Sequence, residues 1–115
     1  MAFTEFEQAL VETKASAFIE ARRPPVELRA QVDLAYRISG QSVEIFEIRP
    51  QFDDPSQSME HAIAKATWVK SDERWRIYWQ GVDLAWQRYD LLPEAKHFDG
   101  FLDAVTDDPA GCFWG

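Results

Sequence analysis

The sequence predicts an α+β protein in which two helices pack against an antiparallel meander of about five strands. Three observations support this fold class. Apolar residues recur at three- and four-residue spacing near both ends of the chain, as in amphipathic helices. Between residues 31 and 89, apolar and polar residues alternate in short segments bounded by turn-forming residues, as in half-buried strands. The 115 residues, 46% of them hydrophobic, suffice for a single domain (1–115) and are too few for two.

The first helix is predicted to begin after Thr4 and to end before Pro24. Thr4 and Glu7 have the spacing of a capping box, in which side-chain oxygens accept hydrogen bonds from the first backbone amides. Pro24 and Pro25 cannot continue the backbone hydrogen bonding of a helix. The helical spacing predicts an apolar stripe formed by Phe3, Phe6, Leu10, Ala17, Phe18 and Ala21.

Five strands are predicted next, at 31–38, 43–50, 59–70, 74–80 and 83–89. Gly40 suits the first central position of a type II′ hairpin turn between the first two strands, because that position needs a positive φ. Segment 59–70 is rich in alanine, which favours a helix, yet its residues alternate along the chain. We interpret it as a strand with a small-residue face that a helix can approach closely, formed by Ala62, Ala64 and Ala66.

The second helix is predicted from Pro93 to Thr106, and an apolar tail follows it. One face of this helix carries Phe98, Phe101, Leu102 and Val105. The tail, residues 111–115, reads Gly-Cys-Phe-Trp-Gly. Chain ends fray unless tied down, and large apolar patches are rarely exposed on monomers. We therefore expect the tail to dock, either on its own fold or across a dimer, with display for another protein as the alternative. Removal of 112–115 should then lower the melting temperature.

Charge is unevenly distributed along this acidic chain, whose net charge is −8. Segment 61–80 holds four basic and two acidic side chains, whereas 81–115 holds two basic and seven acidic ones. A negative protein repels phosphate backbones, so nucleic acid is disfavoured as a partner and a basic protein is favoured. No long apolar run or signal-like segment is present, and the single cysteine excludes an internal disulfide. These features predict a cytoplasmic protein without membrane contact.

Aromatic residues are concentrated in segment 68–89, which holds four of the five tryptophans. Strand alternation places Trp75 and Trp79 on one face of the strand, and Arg76 and Tyr78 on the other. A small domain must bury most of its aromatic surface, so most of this cluster is expected in the core or in a homodimer contact. The candidate ligand-binding residues are Trp75, Arg76, Tyr78, Trp79, Trp86 and Arg49. A polar-aromatic binding face is expected from Arg76, Tyr78 and Arg49. The alternative is a pocket between sheet and helix, lined by Trp75, Arg76, Tyr78, Trp79 and Trp86.

Motifs for catalysis, metal binding or cofactor binding are absent from the sequence. His61 and His97 have no partner at metal-ligand spacing, and Cys112 has no neighbouring base in sequence. A glycine-rich phosphate loop and a nucleophile elbow are also missing. We predict no catalytic residue, no metal and no cofactor, and an enzyme is the less favoured class.

The stretch AKATWVKSDERWRIYWQGVDLAWQRY, at 64–89, and the closing DDPAGCFWG, at 107–115, resemble a family of short bacterial proteins described as a domain of unknown function. The resemblance extends from the first helix through Ile-Arg-Pro at 48–50 to the tail. It implies a bacterial origin and a domain that stands alone, and it implies no activity, cofactor or catalytic residue.

The function that the sequence favours is a non-enzymatic interaction or ligand-binding module that self-associates, with a homodimer as the expected assembly. The alternative is a small-molecule-binding protein or enzyme with an aromatic pocket between sheet and helix. Single-stranded nucleic-acid binding by the basic aromatic stretch is a third hypothesis.

Overall fold

Two helices lie on one side of an antiparallel sheet in the computed structural model, which describes residues 3–114. This arrangement confirms the predicted α+β class. In chain order the elements are α1 (Glu5–Arg22), a short 3₁₀ turn (Val26–Leu28), β1 (Asp33–Ser39), β2 (Ser42–Pro50), β3 (Ser58–Val69), β4 (Arg74–Gln80), β5 (Trp86–Arg88), β6 (Glu94–Ala95) and α2 (Phe98–Asp107).

The sheet is a meander in which β1 to β5 pair in chain order, and β6 adds to β4 beside the short β5. Glu94 and Ala95 pair with Arg76 and Trp75, so the helix predicted to start at Pro93 is wrong in its first turn. The reason is that β5 covers only one end of β4, and the remaining backbone groups of β4 need partners. The Pro93 carbonyl, for example, accepts a hydrogen bond from the Ile77 amide at 3.1 Å.

Helix α1 begins with the predicted capping box. The Thr4 hydroxyl accepts from the Glu7 amide at 3.1 Å, and a Glu7 carboxylate oxygen accepts from the Thr4 amide at 2.9 Å. The buried residues of the helix are Val11, Ala15 and Ile19. Of the predicted stripe, Phe3 is buried and Phe18 half-buried, whereas four residues are exposed: Phe6, Leu10, Ala17 and Ala21. The sequence holds two apolar stripes at helical spacing, and only packing against the sheet decides which one is buried.

Strand β3 confirms the interpretation of segment 59–70 as a strand rather than a helix. The register shifts between Ile45 and Phe46, which pair with Ala64 and Ala62 of β3 and leave Ile63 as the extra residue of a β-bulge. The extra residue moves Ala62 to the opposite face of the sheet from Ala64. The small-residue face beneath the helices is therefore shorter than predicted, with Ala64 and Ala66 fully buried in it.

The hairpin between β1 and β2 turns as predicted, because Gly40 has a φ of 60° between the paired residues Ser39 and Ser42. At its other end β2 continues into an arm that the helices do not cover. Side chains from 52 to 61 are all exposed there, and the molecule extends 44 Å along its longest axis against 29 and 25 Å along the others. Arg49 lies at the base of this arm.

The apolar tail docks on the helix side of the sheet, as expected. Asp108 ends α2 in the left-handed conformation, and its carboxylate accepts hydrogen bonds from the Phe113 and Trp114 amides at 3.1 and 2.9 Å. The Trp114 indole donates to the Val105 carbonyl at 2.7 Å, and the Phe113 ring lies 4.7 Å from that of Tyr89. The tail therefore extends the core cluster of the protein.

Candidate functional site

The two faces of the sheet differ in what covers them, and β4 divides its residues between them. Trp75 and Ile77 are buried beneath the helices, and Trp79 is half-buried on the same side. Arg76 and Tyr78 alternate with them and lie on the opposite face, which no helix covers. We call this second side the open face.

Five residues of the open face form a row across the five main strands. Pairing in register places Arg37, Glu44, Lys65, Tyr78 and Arg88 directly opposite one another, one from each of β1 to β5. Directly opposed side chains on one face are close enough to interact. The row alternates in charge at its β1 end and becomes cationic and aromatic toward β5.

Arg37 is held firmly at the β1 end of the row. It donates to Glu44 at 3.1 Å and to Glu60, and its guanidinium lies 4.3 Å from the centre of the Phe46 ring. These carboxylates, Glu60 most strongly, raise the pKa of Arg37. Its charge is thus compensated within the protein.

Lys65 is held differently, between two aromatic rings. Its ammonium nitrogen lies 5.0 Å from the centre of the Tyr78 ring and 4.8 Å from that of Trp86. Both distances are within the range of cation–π attraction. Among residues 3–114, Lys65 forms neither a salt bridge nor a side-chain hydrogen bond, so its charge is not neutralised by a carboxylate.

Two arginines flank these rings. Arg88 lies 5.8 Å from the Tyr78 ring centre, donates to the Pro93 carbonyl at 3.1 Å and pairs with the Glu94 carboxylate at 3.4 Å. Arg76 pairs with the carboxylate of Asp72 at 3.5 Å. The Nε–H groups of both arginines are shielded from solvent and have no acceptor among residues 3–114. We call Lys65, Arg76, Tyr78, Trp86 and Arg88 the cationic platform.

The structure brings together three of the six candidate residues named from the sequence. Arg76, Tyr78 and Trp86 lie in the cationic platform. Trp75 and Trp79 lie on the covered side, so the five residues named for one aromatic pocket are divided between two faces. Arg49 lies at the base of the arm, where it pairs with Glu47 at 3.3 Å, and does not join Tyr78.

Sequence reasoning did not include Lys65 or Arg88 among the candidate site residues. A signal for Arg88 was present, because it belongs to the basic aromatic stretch. Lys65 lies among alanines, and only the β3–β4 register, which pairs it with Tyr78, brings it to the aromatic rings.

A second feature is a cleft of about 340 Å³ between α1, the β3–β4 hairpin and the start of α2. Its walls are apolar and consist of Phe3, Leu10, Val11, Trp68, Trp75 and Phe98. Its rim carries Glu7, Lys14, Lys96, His97 and Asp99. Trp75 is the one candidate residue from the sequence that lines it.

Three further reactive side chains, Cys112, His61 and His97, lie outside the cationic platform. Burial, and secondarily Asp108 and Asp90, raise the pKa of the Cys112 thiol, and a protonated thiol is a poor nucleophile. His61 is exposed on the arm, and His97 lies at the N-cap of α2 without a side-chain capping hydrogen bond. Across residues 3–114, no three His, Cys, Asp or Glu side chains are grouped closely enough to hold a metal ion.

Comparison with known proteins places the chain in a family. The model of the family described as Domain of unknown function (DUF3024) matches residues 3–115, so the chain belongs to that family. Neither a curated protein nor a solved structure matches it significantly. Within the described part of the chain, neither helix has the length and apolar composition needed to cross a membrane.

Proposed function

We propose that the protein is a non-enzymatic binding module whose cationic platform contacts an acidic segment of a partner protein. The observation that carries this proposal is Lys65, which lies between Tyr78 and Trp86 and has no carboxylate partner in the described part of the chain. A partner carboxylate that pairs with Lys65 gains a charge-assisted hydrogen bond, and the adjacent rings offer apolar area.

The sign of the partner's charge depends on which part of the surface is considered. The net charge of −8 favours a basic partner at long range, as the sequence predicts. Charges are screened over about 8 Å at physiological salt, so a docked segment responds mainly to the side chains beneath it. On the platform, Lys65 has no carboxylate partner among the described residues, whereas Arg76 and Arg88 are each paired with one, so the platform favours an acidic segment through Lys65.

Single-stranded nucleic acid is the weaker hypothesis for the same surface. Aromatic rings beside cations suit stacked bases. However, the platform offers three cations, fewer than the roughly 6–10 phosphate contacts that give strong backbone binding, and the rest of the molecule repels phosphates.

The proposal also includes self-association as a homodimer, a cytoplasmic location and a bacterial origin. The last two rest on the cysteine-poor sequence and on the family resemblance. Native mass spectrometry of the purified protein tests the homodimer, for which a mass of twice the chain is expected.

The partner chemistry is tested by amide NMR titrations with three probes: an oligoglutamate peptide, an oligolysine peptide and an oligothymidylate. At physiological salt we expect oligoglutamate to bind most tightly and to shift signals of β3, β4 and β5 around the platform. Preferential binding of oligolysine or oligothymidylate would overturn the acidic partner.

A matched pair of variants locates the contact. Lys65→Gln should weaken oligoglutamate binding by about 1 kcal/mol, or roughly fivefold, because it removes the uncompensated cation. Lys70→Gln removes the same charge from the exposed turn after β3 and should change the affinity little. Equal losses in both variants would mean that only net charge matters and would refute a site at the platform.

A further inference from the structure

We propose that the acidic segment bound by the cationic platform is the arm tip of a second copy of this chain. The arm tip is the turn between β2 and β3, residues 51–57. This inference rests on the function proposed above and adds the identity of the partner, whose Phe52 and Asp53 complete the site. Each copy has one arm and one platform, so two copies that place their arms on each other's platforms form a closed dimer with two-fold symmetry.

The first argument is that the arm lacks support from the rest of the described structure. β1 pairs with β2 only as far as Ile48, and β4 pairs with β3 only from Ala64 onward. Beyond these points the two strands of the arm pair only with each other, and the helices do not cover them. A two-stranded hairpin is marginally stable in water by itself. Contact with a second molecule therefore stabilises the arm.

The second argument is the composition of the arm tip. It holds Asp53 and Asp54 and no basic residue. Asp54 accepts hydrogen bonds from the Ser56 amide and hydroxyl at 3.2 and 2.6 Å, whereas Asp53 forms neither a hydrogen bond nor a salt bridge among residues 3–114. The adjoining Phe52 side chain is fully exposed. The tip thus presents an unpaired carboxylate beside an exposed aromatic ring.

The third argument is that the platform presents the complementary groups. Lys65 has no carboxylate partner in the described part of the chain, and its ammonium lies 5.0 and 4.8 Å from the centres of the Tyr78 and Trp86 rings. A carboxylate at Lys65 forms a charge-assisted hydrogen bond, and a ring next to that carboxylate can pack on either aromatic side chain. Asp53 and Phe52 supply these two groups from adjacent positions.

The fourth argument is that the arm tip does not reach the platform of its own chain. Ser58, where β3 begins, lies roughly 20 Å along the strand from Lys65, at about 3.3 Å per residue. The tip lies beyond Ser58, and backbone hydrogen bonds of 2.9 Å from Gln51 to Gln57 and from Gln57 to Asp54 close its turn. Contact between tip and platform therefore joins two copies.

The net charge of −8 on each copy opposes their association at long range. Such charges are screened over about 8 Å at physiological salt, whereas a pair at hydrogen-bond distance that is partly shielded from water is screened much less. The contact between Asp53 and Lys65 therefore outweighs the long-range repulsion.

Charge reversal tests this contact by sedimentation velocity. We expect the natural protein to dimerise as its concentration rises. Lys65→Glu and Asp53→Lys, each studied alone, should weaken the dimer at least about tenfold, because each variant places like charges together in both contacts. An equal mixture of the two variants should restore the dimer, because both contacts of the mixed pair again join opposite charges.

Three controls accompany this test. Lys70→Glu makes the same charge change on the exposed turn after β3 and should dimerise like the natural protein. Phe52→Ala should weaken the dimer without any change of charge. As dilute monomers, Phe52→Ala and Asp53→Lys should melt like the natural protein, because both side chains are exposed in the single chain.

Oligoglutamate separates failure of this inference from failure of the function proposed for the platform. Phe52→Ala leaves the platform free and should bind oligoglutamate at least as tightly as the natural protein does. If oligoglutamate binds while the mixture of Lys65→Glu and Asp53→Lys stays monomeric, the second copy is excluded and the preference for an acidic segment stands. If oligoglutamate does not bind and the mixture stays monomeric, both proposals fail. A series of trimers and larger assemblies would overturn the reciprocal arrangement.

Discussion

The covered side and the open face of the sheet are made by the same strands and have opposite chemistry. Ile77 is fully buried beneath the helices, and the next residue, Tyr78, contributes to the cationic platform. Ala64 and Lys65 form a second such pair on β3. Stability and surface chemistry are thus encoded at alternate positions, and a substitution at one position need not disturb the other.

Charged side chains are also distributed differently between the covered side and the open face. Among the described residues, no polar or charged residue is fully buried, and the core cluster is apolar and aromatic. The open face carries the row from Arg37 to Arg88, in which most charges are paired and Lys65 is not. Because ion pairs near the surface contribute little to stability, the covered side accounts for most of the folding free energy.

The tail provides the strongest test of the covered side. Deleting residues 112–115 removes the buried Phe113 ring and the Trp114 hydrogen bond to Val105. Loss of a buried Phe alone costs about 3–5 kcal/mol, so we expect the melting temperature to fall by roughly 10 °C or more. Differential scanning calorimetry measures this change.

A single substitution with a control isolates the buried ring. Phe113→Ala should account for most of the loss, whereas Phe52→Ala, which removes the same ring from a fully exposed position on the arm, should change stability by less than about 0.5 kcal/mol. A melting temperature unaffected by Phe113→Ala would contradict docking of the tail.

Neighbouring residues of β4 test the division of the sheet directly. Ile77→Ala should lower the free energy of unfolding by about 2–5 kcal/mol, because the cavity lies in a fully buried site. Tyr78→Ala should cost less, about 1 kcal/mol, since its ring is half-buried and packs against cations on the open face. Urea denaturation measures both values, and similar losses would show that the open face also stabilises the fold.

Asp33 lies on the open face of the sheet, because it alternates along β1 in step with Arg37. Unlike the other charged residues of that face, it has a stabilising role. Its carboxylate accepts two hydrogen bonds from Arg23, each 2.8 Å long, which lower its pKa from 3.8 to about 2. Because the folded state holds the proton less tightly than the unfolded state, this contribution is present above about pH 4 and is lost as the pH falls through about 2.

Asp33→Asn should therefore lower the free energy of unfolding by about 1–2 kcal/mol at neutral pH. The difference from the natural protein should shrink as the pH falls from about 5 to 2. Urea denaturation across this range measures it, with Asp53→Asn in the exposed loop after β2 as the control. A difference that stays constant with pH would exclude the ion pair as its cause.

Local patterns predicted those elements that depend on neighbouring residues. The Thr4–Glu7 capping box, the turn at Gly40 and the strand identity of segment 59–70 all follow from short-range spacing. The opposite placement of Trp75 and Arg76 also follows, since side chains in a strand alternate with a period of two. These features could be predicted because each depends on few residues.

The sequence by itself determined the α+β class, the alternation that gives the sheet two different faces, and the apolar tail that has to be buried. Only the tertiary structure decided which stripe of α1 is buried, that residues 94 and 95 extend the sheet, and that a bulge at Ile63 moves Ala62 to the other face. It also decided that Lys65 joins Tyr78 while Arg49 does not. The physical reason is that register, bulges and helix docking depend on contacts between residues distant in sequence, which the periodicity of one segment does not specify.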